Sequence, residues 1–536
     1  MAQVQQLESP QYDGIVIGAG FAGLYQLHCL REMGLSATVL EAGSDVGGTW
    51  YWNRYPGART DSPSNVYQFL FSDDLVNGWQ WSERFPSQPE TERYLRWVTD
   101  RLDLRRDIQF NQRVTQAVWS AEEACWLIET EAGSQLSARF VISCMGPLSK
   151  PVLPNFDGQE QFKGTMVHTS QWPKEGISLG GKRVAVIGTG ATGIQVIQTI
   201  AAEVEELTVF QRTANYSIPM KNYRYTESEP LTVQRETLRG RTRETFGGFD
   251  FDIEHRLWAD VDPAERLANM ERLYAEGNLA LWVGSFAEQL MEAEANEEVS
   301  EFVKDKIRAR IDDPALREKL IPNDHGFGTH RVPLENGYYE AFAQDNVQLI
   351  DVHKEPIVAF TENSIKTSQQ EIRVDVVICA TGFDAVTGAL TNIDVRGRDN
   401  RSLAEVWDRD IRSSMGMQLH GFPNLFLTST PLSPAGAFCN APTCVQHSVE
   451  WISECIGYVL NRGAAIEPTA EFEESWVAHH DETAAATLIA KTASWYTGAN
   501  IEGKSNRLIG YPGGIPAYVE ACDRVRDNGY EGFKIY

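Results

Sequence analysis

Two G-x-G-x-x-G turns, each entered from a short apolar run, constrain this chain more than any other feature. Gly18, Gly20 and Gly23 follow the run Gly14 to Ile17, and Gly188, Gly190 and Gly193 follow Lys182 to Ile187. Each reads as a buried parallel strand, a tight turn and the start of a helix. Glycine removes the Cβ where backbone must approach a pyrophosphate, and the helix N-terminus supplies N–H groups and partial positive charge. One such turn is weak evidence, but two in one chain predict an α/β protein with two dinucleotide sites.

The strands that end each unit differ in a way that sorts the two sites. Tyr12 to Glu41 is one strand, turn, helix, strand unit, and Glu41 closes it about 20 residues after the turn, where an acid can bind ribose hydroxyls. A carboxylate there repels a 2'-phosphate, so this site suits FAD or NAD. In the second unit VLEA becomes VFQR: Gln211 replaces the acid, Arg212 follows, and Lys221 comes a few residues later. A guanidinium can pair bidentately with phosphate, which points to NADP.

The rest of the chain is arranged around these units. Residues 47–69, GGTWYWNRYPGARTDSPSNVYQF, are too rich in Gly, Pro and aromatics for a regular element and carry Arg54, Arg59 and Asp61. An ionised carboxylate among aromatics needs a partner, usually an arginine. Pro147, Pro151 and Pro154 mark a linker, and residues 222–322 are rich in Glu, Arg, Leu and Ala at a 3.6-residue period, a helical insertion with a solvated charged face. The chain then returns to strand and loop through HGFGTHRVPLENGYYEAF and VDVVICATGFDAVTG. These shifts predict a first dinucleotide domain over 1–145, a second over 146–218, the insertion over 219–325, a return to the second domain over 326–380, and a return to the first over 381–536.

With 536 residues the chain is long enough for two or three cores. Its formal charge of -26 argues against a nucleic-acid partner, which needs a basic footprint. The eight cysteines are scattered without metal-ligand spacing, so no metal is expected and a reducing cytoplasm fits. No apolar run reaches the length of a membrane span.

One segment is more specific. FKGTMVHTSQWP sets Phe162, Gly164, His168, Trp172 and Pro173 between the two glycine turns, and with GTWYWNRYPGARTD and ATGFDAVTG it resembles the type I Baeyer-Villiger monooxygenases over nearly the whole chain. The resemblance implies FAD in the first domain, NADPH in the second, and a ketone and O2 as substrates. It implies an ester or lactone product formed through an anionic flavin C4a-peroxide. The cofactors are expected against Gly18, Gly20, Phe21, Gly23, Glu41, Gly48, Thr49, Trp50, Tyr51, Arg59, Asp61, Tyr67, Gly188, Thr189, Gly190, Thr192, Gly193, Gln195, Arg212, Thr213, His330, Arg331 and Trp495. Arg331 is the expected stabiliser of the peroxide with Asp61 beside it, because a guanidinium holds an anion without giving up a proton. His168 is expected to couple the domains, and Leu432 to Asn440 with the end of the helical insertion to line the ketone pocket.

Three alternatives are weighed against this reading. A flavin N- or S-hydroxylase would need a protonated oxidant and no strict dependence on Arg331, and a non-catalytic FAD and NADP sensor would not need the loop residues. A disulfide reductase needs a closely spaced cysteine pair, which the sequence does not offer. Many members of the family place Lys before the arginine where this chain has His330, an imidazole mostly neutral near pH 7. NADPH is therefore expected to be preferred through Arg212, with a smaller NADPH-to-NADH ratio of kcat/KM than a lysine would give; a preference for NADH would overturn the assignment of Gln211 and Arg212.

Overall fold

The computed structural model describes residues 10–434 and 438–536. Residues 1–9 of the expected first domain and Ala435 to Ala437 of the expected pocket loop lie outside the described residues.

The chain begins with β1 (Tyr12–Ile17), helix α1 (Phe21–Glu32) and β2 (Ala37–Leu40), and β3 (Ile108–Gln109), β4 (Val114–Ser120), β5 (Cys125–Thr130) and β6 (Gln135–Ser143) extend the same sheet. A second sheet starts with β7 (Thr165–His168), β8 (Arg183–Ile187) and β9 (Glu206–Gln211). After β10 (Ile218–Pro219) comes the helical insertion, and β11 (Leu334–Glu335) then pairs back onto β10. β12 (Val347–Asp351) joins the second sheet, β13 (Ile357–Phe360), β14 (Ser364–Thr367) and β15 (Glu371–Arg373) form an antiparallel ribbon, and β16 (Val376–Cys379) completes the second sheet. β17 (Asp394–Arg396) and β18 (Leu425–Leu427) rejoin the first sheet, and β19 (Ile466–Pro468) and β20 (Phe533–Ile535) close the chain as a pair.

The first sheet runs β17-β4-β5-β6-β1-β2-β3 with β18 on the far end of β6, and the second runs β12-β9-β8-β16-β7, all parallel. The first sheet is mixed, with β5 antiparallel to β4 and β6, and both faces around its parallel strands are apolar, as covered parallel strands require. Val16, Val39 and Phe140 pack in one core with Leu27 of α1 and Trp451, while Ile15, Ile17, Leu40 and Val141 pack in another. The second sheet shares a single core with the insertion: Val184, Val186 and Ile194 pack in the same cluster as Leu281, Trp282 and Phe302. The charges of the insertion lie outside this core, in exposed pairs such as Lys306 with Glu271 at 2.7 Å and Arg308 with Asp305 at 2.6 Å.

The two glycine turns are near copies. Gly18 (φ +102°) and Gly188 (φ +109°) adopt backbone that side chains avoid, and a Cβ there would lie 2.8 Å from the carbonyl O of Cys144 and 2.5 Å from that of Ala380. A Cβ on Gly23 would lie 1.8 Å from the Gly18 oxygen, and one on Gly193 2.1 Å from the Gly188 oxygen. The first and third glycines of each turn are therefore required by the protein itself. The middle one is not, since a Cβ on Gly190 would meet no atom within 4 Å.

One expectation is corrected. Cys439 and Cys444, read as scattered with no closely spaced pair, form a disulfide with Cα atoms 6.5 Å apart. Cys439 directly precedes Asn440, the N-cap of helix Ala441–Leu460, and Cys444 lies in its first turn. A helical start brings residues five apart within bridging distance, which linear spacing does not reveal. Among the described residues no helix is long and apolar enough to cross a membrane.

The glycine geometry separates two substitutions. Gly193→Ala, which forces a Cβ into a carbonyl, should cost about 2–3 kcal/mol and lower the thermal midpoint. Gly190→Ala should leave the midpoint unchanged; equal midpoints for both variants would contradict the geometry.

Candidate active site

The first turn is organised by its acid. One oxygen of Glu41 accepts the N–H of Ala19 at 2.7 Å and the other that of Gly43 at 2.6 Å. Burial raises its pKa, against the pull of those two N–H groups. The carboxylate at the end of β2 thus fixes the turn it serves. Gly48 faces the same space, with a Cβ there only 2.8 Å from the Gly20 Cα. Beside it Phe21 meets Tyr67 edge to face at 5.5 Å, and Trp50 Nε1 donates to the Tyr67 hydroxyl at 3.2 Å. Thr49, Trp50 and Tyr51 form a short helix, and the Tyr51 hydroxyl accepts the N–H of Ser44 at 2.9 Å.

In the second unit Gln211 is buried and donates to the carbonyl of Lys319 at 2.6 Å, while Arg212 is exposed at the end of β9. The Thr189 hydroxyl donates to the Thr213 carbonyl at 3.0 Å, which ties the turn to the strand end. Lys221, read beside Arg212, is exposed and its N–H binds the carbonyl of Gly277 at 3.0 Å.

The loop 53–61 carries the first unit onto the second. The Tyr55 hydroxyl donates to Gln195 Oε1 at 2.9 Å and Gln195 Nε2 donates to the Arg59 carbonyl at 3.1 Å. Thr192, on the same helix Ala191–Ile200, also bonds to Tyr55. Gly57 makes this approach possible, since a Cβ there would lie 2.1 Å from Thr199 Oγ1. The Arg59 side chain turns away, to the Phe85 carbonyl at 3.2 Å and Glu83 at 3.4 Å.

Two residues beyond Arg59, Asp61 accepts a hydrogen bond from the Arg331 guanidinium, an ion pair across the two units whose side chains are 24% and 27% exposed. The Arg331 guanidinium lies 5.1 Å over the Trp282 ring and bonds to the Tyr496 hydroxyl. Burial disfavours its charge, but Asp61 and Tyr496 outweigh that and hold its pKa above the ordinary arginine value. The loop behind it is pinned by the insertion: Trp282 Nε1 donates to the Gly328 carbonyl at 3.1 Å and Asn296 Nδ2 to that of Phe327 at 2.9 Å. From the nucleotide side, Asn215 Nδ2 donates to the Arg331 carbonyl at 3.1 Å, and Asn215 Oδ1 is buried without a protein partner.

Trp282 and Tyr496 were not found from sequence. The apolar LALWV run in the charged insertion was the available signal for Trp282. Trp495, the residue singled out, is half-buried and packs at 4.1 Å on Tyr496, which is the one that reaches Arg331. His330 is stacked on His325 at 3.9 Å, and burial followed by the His325 charge pulls its pKa down to about 4.

The histidine-centred segment has a structural place. β7 pairs with β16 so that His168 lies opposite Cys379, which lies opposite Ile187, the residue before Gly188. His168 Nε2 lies 3.2 Å from the Gly382 carbonyl and Nδ1 2.8 Å from the Ser170 hydroxyl, and burial lowers its pKa, so it is neutral near pH 7. Gly164 is required because a Cβ there would lie 2.4 Å from the Phe162 ring, and Trp172, ahead of Pro173, is buried in the core of the second sheet.

Both turns fit a dinucleotide. Helices α1 and Ala191–Ile200 begin at Gly20 and Gly190 with no side chain capping them, which leaves their leading N–H groups for a phosphate. Glu41 and the aromatic loop suit a flavin nucleotide, and the exposed Arg212 suits a phosphorylated ribose.

Comparison with known proteins agrees. Residues 14–225 match the flavin-binding monooxygenase-like family. Acetone monooxygenase (methyl acetate-forming) of Gordonia sp. (strain TY-5) is 51% identical over 98% of this chain and 99% of its own. Cyclopentanone 1,2-monooxygenase of Comamonas sp. (strain NCIMB 9872) is 39% identical over 98% of this chain and 96% of its own. The crystal structure of OTEMO in complex with FAD and NADP superposes with a TM-score of 0.95 at 38% identity, covering 99% of this chain and 100% of that one. The chain belongs to the Baeyer-Villiger monooxygenases of the flavin-binding monooxygenase family, with FAD and NADP as cofactors.

Proposed function

We propose that this enzyme inserts one oxygen atom of O2 beside the carbonyl of a small aliphatic ketone, acetone among them, with Arg331 and Asp61 as its catalytic pair. The ketone class is supported by the acetone monooxygenase likeness over almost the full length. The catalytic assignment is carried by one observation: a guanidinium fixed at the seam of two dinucleotide-binding units, facing aromatic walls, with its counter-charge drawn from the other unit. When bound, FAD reduced by NADPH supplies the activated oxygen.

The side chains supply position and charge. Arg331 stays cationic at any working pH, so it stabilises negative charge at the reacting oxygen without delivering a proton to it. Asp61 orients the guanidinium, Trp282 backs it, and Tyr496 fixes its far edge. Glu41 and the residues 48–51 hold FAD, and Arg212 with Thr189 to Gly193 holds NADPH. His168 ties the strand ends that carry the second turn to the 379–383 crossing and moves no proton. The division at 145, 218, 325 and 380 is kept as part of this reading, supported by the chain leaving the first sheet after β6 and returning to it at β17. We place the enzyme in the cytoplasm on its six free cysteines, against the Cys439–Cys444 bridge, which favours an oxidising compartment.

Purified holoenzyme with acetone should consume NADPH and form methyl acetate in equal amount. Arg331→Ala should lower kcat for ester formation by about 10²–10³ while FAD is retained and NADPH is still oxidised; retained ester formation would remove Arg331 from the mechanism. Asp61→Asn keeps the hydrogen bond and removes the charge. It should reduce ester formed per NADPH consumed by a smaller factor, read from the ratio of the two.

A further inference from the structure

His325 and His330 stand five residues apart on the loop that ends in Arg331, and the Gly326 to Thr329 turn folds their rings face to face at 3.9 Å and 15°. The His325 side chain is 1% exposed, with Nδ1 2.7 Å from Asp324 Oδ1 and Nε2 buried without a partner. Tyr216 meets the His325 ring edge-on at 5.3 Å. His330 bonds to the Ala493 backbone, and its ring lies within reach of the Arg212 charge.

On the reading that Arg212 binds the ribose phosphate, we propose that His325 and His330 act as one titrating pair, which takes up a proton together with the 2'-phosphate of NADPH and gives it back when the phosphate leaves. A phosphate monoester carries nearly two charges near neutrality, and Arg212 offers one. We assign the second positive charge to this pair. Two imidazoliums 3.9 Å apart repel, so the pair takes up at most one proton beyond its two neutral rings and titrates as a unit.

The surrounding groups set the resting state. Burial is the main force lowering both rings, His330 to about 4, and the charges of Lys304 on His325 and of Arg212 on His330 act the same way. Asp324 pulls in the other direction on both. Without the anion the pair is neutral at pH 7. A bound dianion raises its pKa, so binding takes up a proton and tightens as pH falls; above the bound-state pKa the gain is gone.

The test is binding of NADP+ and of NAD+ to the oxidised FAD holoenzyme, followed by flavin absorbance from pH 6.5 to 8.5. That window lies above the second pKa of the phosphate, about 6. The expected NADP+ dissociation constant rises with pH by up to about tenfold per unit, the limit for one linked proton, while that of NAD+ does not. His330→Lys should be flat and tight, His330→Gln flat and weak, and the wild type should pass from the first toward the second as pH rises. A wild-type NADP+ curve parallel to that of His330→Gln, with NADP+ still favoured over NAD+, would overturn the proton-linked pair and leave the Arg212 assignment standing. NAD+ binding as tightly as NADP+ at every pH would instead overturn that assignment and the proposal resting on it.

Discussion

The ion pair between Asp61 and Arg331 joins residues 270 positions apart and ties the two glycine-turn units together. Its partners come from four parts of the chain: the aromatic loop of the first unit, the insertion, the return loop of the second unit and the C-terminal segment. A charge that is about three-quarters buried is tolerated only with a close counter-charge and hydrogen bonds to its remaining donors. That requirement explains why so much of the structure converges on one guanidinium. The insertion, which shares its core with the second sheet, serves the same end through Trp282 and Asn296.

The two turns show how a nucleotide site divides its glycines between self and ligand. In both copies the first and third answer to the protein, since carbonyls of the same fold occupy the space where a Cβ would sit. The middle position is left to whatever lies over the helix start. Glu41 and Gln211, at equivalent places in the two units, then differ in charge, one anchoring its own turn and the other buried against Lys319.

Where the fold could be read from sequence, the signal was local. Strand, turn, helix and terminal acid are all close in sequence, and each glycine answers a nearby steric demand. The charged 3.6-residue pattern of the insertion is local too, and so is the run of buried apolar residues in β8. The pairing of Asp61 with Arg331 came from a family resemblance, because nothing in the composition of ARTD or GTHR says that they meet. Tyr496 was missed beside Trp495 because a 3-10 turn at 495–497 sends neighbouring rings to different surroundings. His325 was missed because its stacking depends on a two-glycine turn. The cysteine pair escaped because only a helix start brings residues 439 and 444 together.

Gly57 has a mechanical consequence. Its backbone lies against the helix that carries Gln195 and Thr199, with no room for even a methyl group. The bonds of Tyr55 and Arg59 to Gln195 flank this contact on both sides. The contact leaves no slack, so the loop rests on that helix as a lever does on its support. Asp61 stands four residues along the lever, so a small swing of the nucleotide helix is delivered directly to the carboxylate that aims the guanidinium.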